Sequence, residues 1–166
     1  HVLGLVDAVA CEDTRVGGSL LRHLGLHKPL LALHQHNEHA ATEQVLARLA
    51  RGERVAYISD AGTPVVSDPG AALVAAAQAA GHATVPLPGA CSVLAALSVA
   101  GDTEAHGFAF VGFLPTKAGE RDSAVEALSR RQTESLVLFE APHRIAALLD
   151  ALAAQMPARR LTLGRE

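Results

Sequence analysis

The stretch VAYISDAGTPVVSDPG, residues 55–70, decides how this chain is read. With Arg54 before it, its first part is a near-continuous apolar run of strand length, which suits a parallel strand buried on both faces. Its second part is a loop of glycine, proline, serine and aspartate. A strand that ends in an acidic residue and a glycine turn places polar groups at the carboxyl edge of a parallel sheet, where ligands bind. Asp60 is suited to an ammonium group or a ribose hydroxyl, and Gly62 lets the backbone approach a ligand closely. A turn held by an aspartate side chain accounts for the same residues without any ligand. Asp68 then reads as the N-cap, and Pro69 as the first position, of an alanine-rich helix that stops at Gly81.

Outward from this stretch, short β-rich runs alternate with helical ones. Strands are expected at residues 7–11, 29–33, 54–59, 82–86, 107–114, 135–140 and 160–163, and helices at 18–24, 39–51, 93–100, 121–130 and 142–155. In the second of these helices Val45, Leu46 and Leu49 form the apolar stripe. The alternation predicts an α/β fold with helical crossovers between parallel strands. Polar TKAGERD, residues 116–122, marks a boundary. The expected organisation is an N-terminal α/β domain over residues 1–112 and a partial C-terminal α/β domain over residues 113–166 that stops directly after a strand.

Composition limits the function. About half of the 166 residues are apolar, enough for one good core and part of a second. No apolar run reaches the roughly 20 residues of a membrane span, so no membrane association is expected. The opening HVLGLVDAVA has no basic n-region and reads as the middle of a domain rather than a signal peptide. Cys11 and Cys91 are too few for a disulfide framework, which points to a reducing cytoplasm. A net charge of −3 argues against coating nucleic acid through global electrostatics, so any RNA contact must be local. Arginines cluster at Arg15/Arg22, Arg130/Arg131 and Arg159/Arg160, as solvated helix faces also do. With four phenylalanines, one tyrosine and no tryptophan, base stacking is a poor main source of RNA affinity.

Several other segments carry chemistry. VPLPGACSVLAAL, residues 85–97, is a second strand edge whose helix start, capped by Ser92, offers donors to a carboxylate or phosphate. ACEDTR, residues 10–15, sets Glu12, Asp13 and Arg15 directly after a strand, where paired carboxylates do acid/base work or merely cap the next helix. LALHQHNEHAA, residues 31–41, carries His34, His36, Asn37, Glu38 and His39. A metal hydrolase built on these histidines is one reading, but no convergent ligand set is evident, and a helix capped by Asn37 beside a cleft is simpler. FEAPHR, residues 139–144, places Glu140, His143 and Arg144 at a strand end, where Arg144 can grip a carboxylate or phosphate in a bidentate manner. No phosphate-binding GxGxxG or GxxxxGK[ST] follows any strand.

Taken together, ACEDTR, LHQHNE, SDAGTPVVSDPG, VPLPGACSVLAALSVAG with GFLP downstream, FEAPHR and the terminal RE resemble a bacterial family of small-subunit ribosomal RNA (cytidine-2′-O)-methyltransferases. These enzymes are class III, S-adenosylmethionine-dependent members of the tetrapyrrole methylase superfamily. The resemblance covers nearly the whole chain. It implies a tetrapyrrole-methylase-like fold of two α/β domains with the methyl donor, S-adenosyl-L-methionine, in the cleft between them, and a homodimer that acts on ribosomal RNA within the assembled small subunit. It assigns the donor to Asp60, Ala61, Gly62, Thr63, Val65, Val66, Cys91, Ser92, Phe113, Leu114 and Glu140. It assigns the substrate side to Arg15, His34, His36, Asn37, Glu38, His143 and Arg144, with no metal. Glu12, Asp13 and His36 are candidates for the catalytic base, and spacing does not choose among them. Family members carry a strand and a glycine- and asparagine-bearing loop ahead of the position of His1, and continue past RE, so this chain reads as truncated at both ends. A tetrapyrrole C-methyltransferase would share the donor site, and a non-catalytic binding module is a further alternative.

Overall fold

The computed structural model describes residues 1–165; Glu166, the last residue of the terminal RE pair, lies outside the described residues. The chain divides into two compact units, His1–Cys91 and Ser92 onward. The sequence boundary after residue 112 falls inside the second unit. The reason is strand pairing: the strand Phe108–Phe113 runs parallel to Ser135–Phe139, and this ladder ties residues on both sides of the expected boundary together.

In the first unit, a short helix α1 (Val2–Leu5) leads into β1 (Ala8–Cys11), α2 (Thr14–His23), β2 (Leu30–Ala32), α3 (Glu38–Ala50), β3 (Val55–Ile58) and α4 (Ala71–Ala79). The three strands form one parallel sheet in the order β2-β1-β3. The fully buried strand is therefore β1, all four of whose residues are inaccessible, while β3 is only half-buried. The long apolar run expected to be covered on both faces lies at the end of the strand order, and the shorter AVAC lies in the middle. Ala10, Leu33, Ala41, Val45 and Leu73 form the core on one side of the sheet. Val6, Val9 and Leu21 form that on the other.

Helix α2 lies close on the sheet because it carries two glycines. A Cβ on Gly17 would stand 2.8 Å from Cys11 Sγ, and one on Gly18 would stand 3.4 Å from a Leu30 methyl group. Helix α4 starts two residues later than expected. Gly70, at φ 117°, occupies the N-cap position instead of Asp68. The backbone amides of Gly70 and Ala72 donate to Glu38 Oε1 at 2.9 and 3.3 Å, so a side chain from α3 supplies the cap expected from the local sequence.

The expected strand at residues 82–86 does not form. The segment is exposed almost throughout, no described strand lies beyond β3 to pair with it, and the prolines at 86 and 88 lack the amide that a ladder needs.

The second unit contains α5 (Ser92–Ala100), β4 (Phe108–Phe113), α6 (Ala118–Ser129), β5 (Ser135–Phe139) and α7 (Ile145–Gln155). Its core is Leu114, Val125, Leu128, Leu148 and Ala151. The ladder between β4 and β5 shifts register between Phe110 and Gly112, and Gly112 takes φ 75°, a region that glycine enters without strain. Residues 160–163 form no strand. Arg159 donates instead to the carbonyls of Arg131 and Glu134, and Arg160 to those of Ala100 and Gly101, so side chains rather than a ladder tie this segment down.

Candidate active site

Parallel register places three motifs at one level. Cys11 pairs with Ala32 of β2 and with Ile58 of β3, so Glu12, Leu33 and Ser59 each stand one residue beyond the same edge. This is the carboxyl edge, and ACEDTR, LHQHNE and SDAGTP leave it side by side. A direct bond joins two of them: the Asp13 amide donates to Asp60 Oδ1 at 3.3 Å. Thr63 Oγ1 donates to the Ala90 carbonyl at 3.1 Å, which ties the third motif to the PLPGAC segment.

The edge is acidic, and its charges are unequally satisfied. Asp13 is the N-cap of α2; it accepts from the Arg15 amide at 2.8 Å and pairs with the Arg15 guanidinium at 2.6 Å. Those bonds hold its carboxyl down to about 2. Glu12 has no such partner. Burial raises its carboxyl above the ordinary range, and the negative charges of Asp68 and Asp60 raise it further, against smaller opposing effects from the Asp60 amide and His34. Asp68 is raised too, by burial first, with the Ser59 hydroxyl opposing and the negative charge of Asp60 adding a smaller rise. Two carboxyl groups pushed up beside a third mark a place where positive charge is favoured.

The LHQHNE residues divide between support and exposure. Asn37 Oδ1 accepts from the His34 amide at 2.8 Å and its Nδ2 donates to the Ala32 carbonyl at 2.9 Å, so Asn37 pins the turn rather than capping α3 with its side chain. Glu38 is used as the cap of α4. The His34 and His36 rings meet edge-on at 6.0 Å, and His34 Nδ1 is buried without a partner. His39 is exposed and faces Glu43 at 3.7 Å. Among the described residues, no three His, Cys, Asp or Glu side chains converge to hold a metal, so nothing favours the metal-hydrolase reading.

Tyr57 and Asp68 emerge from the structure as site residues that sequence patterns cast only as strand and cap. The Tyr57 hydroxyl donates to the Pro69 carbonyl at 2.6 Å, and burial together with the nearby carboxylates pushes its pKa upward. A Cβ on Gly70 would collide with the Tyr57 ring. The ring thus sets where the loop returns to α4. Within the loop Gly62, Val65 and Ser67 all take positive φ, and Val65 and Val66 are exposed. A β-branched residue at positive φ is strained, and such strain gathers at ligand-binding loops.

A family model described as Tetrapyrrole (Corrin/Porphyrin) Methylases matches residues 1–165. The chain belongs to this family. Its two parallel sheets and helical crossovers make the fold that of the class III, tetrapyrrole-methylase-like methyltransferases. The chain is also similar to three proteins named "Ribosomal RNA small subunit methyltransferase I". It is 46% identical to that of Xylella fastidiosa over 92% of the chain and 55% of the relative. Identity is 47% to that of Pseudomonas aeruginosa and 43% to that of Escherichia coli O157:H7, each over the whole chain and 58% of the relative. This tetrapyrrole methylase chain therefore spans between a half and two thirds of the length of these curated relatives.

In the second unit, the expected donor residues of the methylase chain have different surroundings. Phe113 is exposed, with its ring 5.6 Å edge-on to Phe139. Leu114 has its side chain in the core, so only its backbone is left for a ligand. The Glu140 side chain is 5% exposed and bound to Arg144 Nη2 at 2.5 Å and to the Ala141 amide at 2.8 Å. Its carboxylate is thus already engaged, as is the Arg144 fork assigned to substrate. His143 is exposed. Ser92 is the first residue of α5 rather than its cap, and Cys91 ahead of it is half-buried.

Proposed function

We propose that this chain is the larger part of an enzyme that methylates the 2′-hydroxyl of a cytidine in small-subunit ribosomal RNA, with S-adenosyl-L-methionine as donor. The observation that carries the reading is the carboxyl edge, where Glu12, Asp60 and Asp68 surround a loop of the family's SDAGTP type, in a chain whose curated relatives are named as small-subunit RNA methyltransferases. The donor set fits the cofactor. Acidic groups suit its sulfonium and ammonium charges, Asp60 is exposed to accept from a ribose hydroxyl, and the exposed Val65 and Val66 offer apolar surface to an adenine.

Bound there, S-adenosylmethionine supplies an electrophilic methyl group. The chain's own residues orient the accepting oxygen and take its proton, and orientation is the larger contribution. Of the three candidate bases, Asp13 is held too acidic by Arg15, and His36 is exposed. Glu12, raised by burial and with no cation paired to it, is the remaining candidate base. Asp60, Ala61, Gly62, Thr63, Val65, Val66, Cys91 and Ser92 are the proposed donor contacts, together with Phe113 and the Leu114 backbone, while Glu140, engaged by Arg144, shapes its strand end. Arg15, His34, His36 and His143 are the proposed substrate contacts, with Asn37, Glu38 and Arg144 holding the motifs in shape. Action as a cytoplasmic homodimer on the assembled small subunit belongs to the same reading, and no described helix is long and apolar enough to cross a membrane.

The test is calorimetric titration with S-adenosylmethionine, followed by transfer of a labelled methyl group to small ribosomal subunits, naked RNA and a uroporphyrinogen-type ring in parallel. Label on subunit RNA at a ribose that then resists alkaline cleavage supports the reading. Label on the ring instead of RNA, or no donor binding, overturns it.

A further inference from the structure

Beyond the acidic edge, the first unit contains a groove of about 630 Å³ between α2 and residues 26–30. Its size is that of a small-molecule site, but such sites are mainly apolar with few polar groups. Here Arg15, Arg22, His27 and Lys28 are among the ten lining residues and no carboxylate is. Arg15 and Arg22 stand seven residues apart on α2, which puts them on one helix face.

The cations are held without being neutralised. Arg22 Nε donates to the Gly18 carbonyl at 3.3 Å, and Lys28 Nζ donates to the carbonyls of Val6 and Gly4 at 2.7 and 3.1 Å. These acceptors are uncharged, so the groups are positioned while their charge remains. Of the groove's cations only Arg15, 90% exposed, is paired with an acid among the described residues; its partner Asp13 belongs to the acidic edge. The groove therefore begins where ACEDTR leaves the sheet. Glu12, Asp60 and Asp68 make the sheet edge negative, whereas the far end of α2 and the segment after it carry positive charge without an acid partner among the described residues.

We propose that the α2 groove holds the phosphodiester backbone of the RNA substrate, with Arg22, His27 and Lys28 as phosphate contacts. This rests on the RNA-methylation reading above and adds the surface by which the RNA is held. No phenylalanine or tyrosine lines the groove, and its basic side chains suit phosphates better than base faces; such contacts set register and affinity rather than sequence choice.

The experiment measures anisotropy of a fluorescein-labelled RNA oligonucleotide across a salt series, with calorimetry against S-adenosylmethionine. It uses the wild-type chain, an Arg22→Glu/His27→Glu variant at two exposed positions, and an Arg130→Glu control at a surface arginine paired with Glu126. The double variant is expected to bind RNA about tenfold more weakly, with the salt slope shallower by about 0.7 for each phosphate no longer neutralised. Its donor affinity should be unchanged, and the control should stay within about twofold of wild type. Equal RNA affinity and slope in wild type and double variant overturn the groove and leave the methylation reading standing. A wild-type chain that binds neither RNA nor donor overturns both. Displacement by polyglutamate as effective, charge for charge, as displacement by RNA overturns the assignment to nucleic acid.

Discussion

Glu12 and Glu140 occupy equivalent places, each one residue beyond the end of a parallel strand, yet they stand in opposite electrostatic states. Glu140 is buried against Arg144, and the pair neutralises itself. Glu12 is partly buried without a cation of its own, beside Asp60 and Asp68. The difference separates a carboxylate held by its own cation from one left crowded and unpaired at a sheet edge. A paired buried charge gains its Coulomb energy within the native state, whereas a crowded unpaired one costs stability until a cation or a proton arrives.

Removal of the paired partner should have the largest effect. Glu140→Ala leaves the Arg144 guanidinium, whose Nε is already buried without a partner, with no counter-charge. A loss of about 3 kcal/mol is expected in urea denaturation followed by far-UV circular dichroism. The fluorescence of Tyr57, the only tyrosine and a residue of the first unit, provides a separate readout of that unit.

Next in size is Gly70→Ala. It places a methyl group against the Tyr57 ring at a φ that alanine avoids, and about 2 kcal/mol should be lost as the loop carrying Asp68 shifts. If stability were unchanged, Tyr57 would not set the loop. Glu38→Ala removes the cap of α4 and should cost about 1 kcal/mol by the same denaturation, with donor affinity reduced only through displacement of the loop.

The smallest change has the opposite sign. Glu12→Gln should leave stability unchanged at low pH, where the carboxyl is protonated in both folded and unfolded chains. As pH rises through the raised folded value, wild type loses stability and the variant does not, so the variant should be the more stable of the two at pH 7. A loss as large as that of Glu140→Ala would collapse the distinction between the two glutamates. Asp13 behaves in the reverse sense: its depressed carboxyl contributes stability that is lost as pH falls towards about 2.

Much of the fold was legible beforehand because it depends on short-range signals. The glycines at 25, 52, 81 and 101, all at positive φ, stand where helices stop, and five strands and their helices lie within a few residues of the positions expected from patterning. The misjudged elements share a cause. Residues 82–86 and 160–163 have strand composition, but a strand exists only where a neighbour accepts its ladder, and composition does not reveal neighbours. The burial of β1 over β3 likewise follows from strand order rather than from the length of an apolar run.

For the site, the sequence by itself determined which motifs carry polar groups at strand ends: EDTR, HQHNE, SDAGTP and EAPHR, with their family resemblance. Local chain geometry is enough for that, since a strand followed by an acidic or glycine turn exposes those groups at a sheet edge. Only the tertiary structure decided what each group does there. Glu38 caps a helix 32 residues away, Glu140 is neutralised by Arg144, Asp13 by Arg15, and Glu12 and Asp68 are crowded by like charge. Those roles depend on distances between residues remote in the chain, and charge interactions are set by distance in space and exclusion of water rather than by position along the sequence.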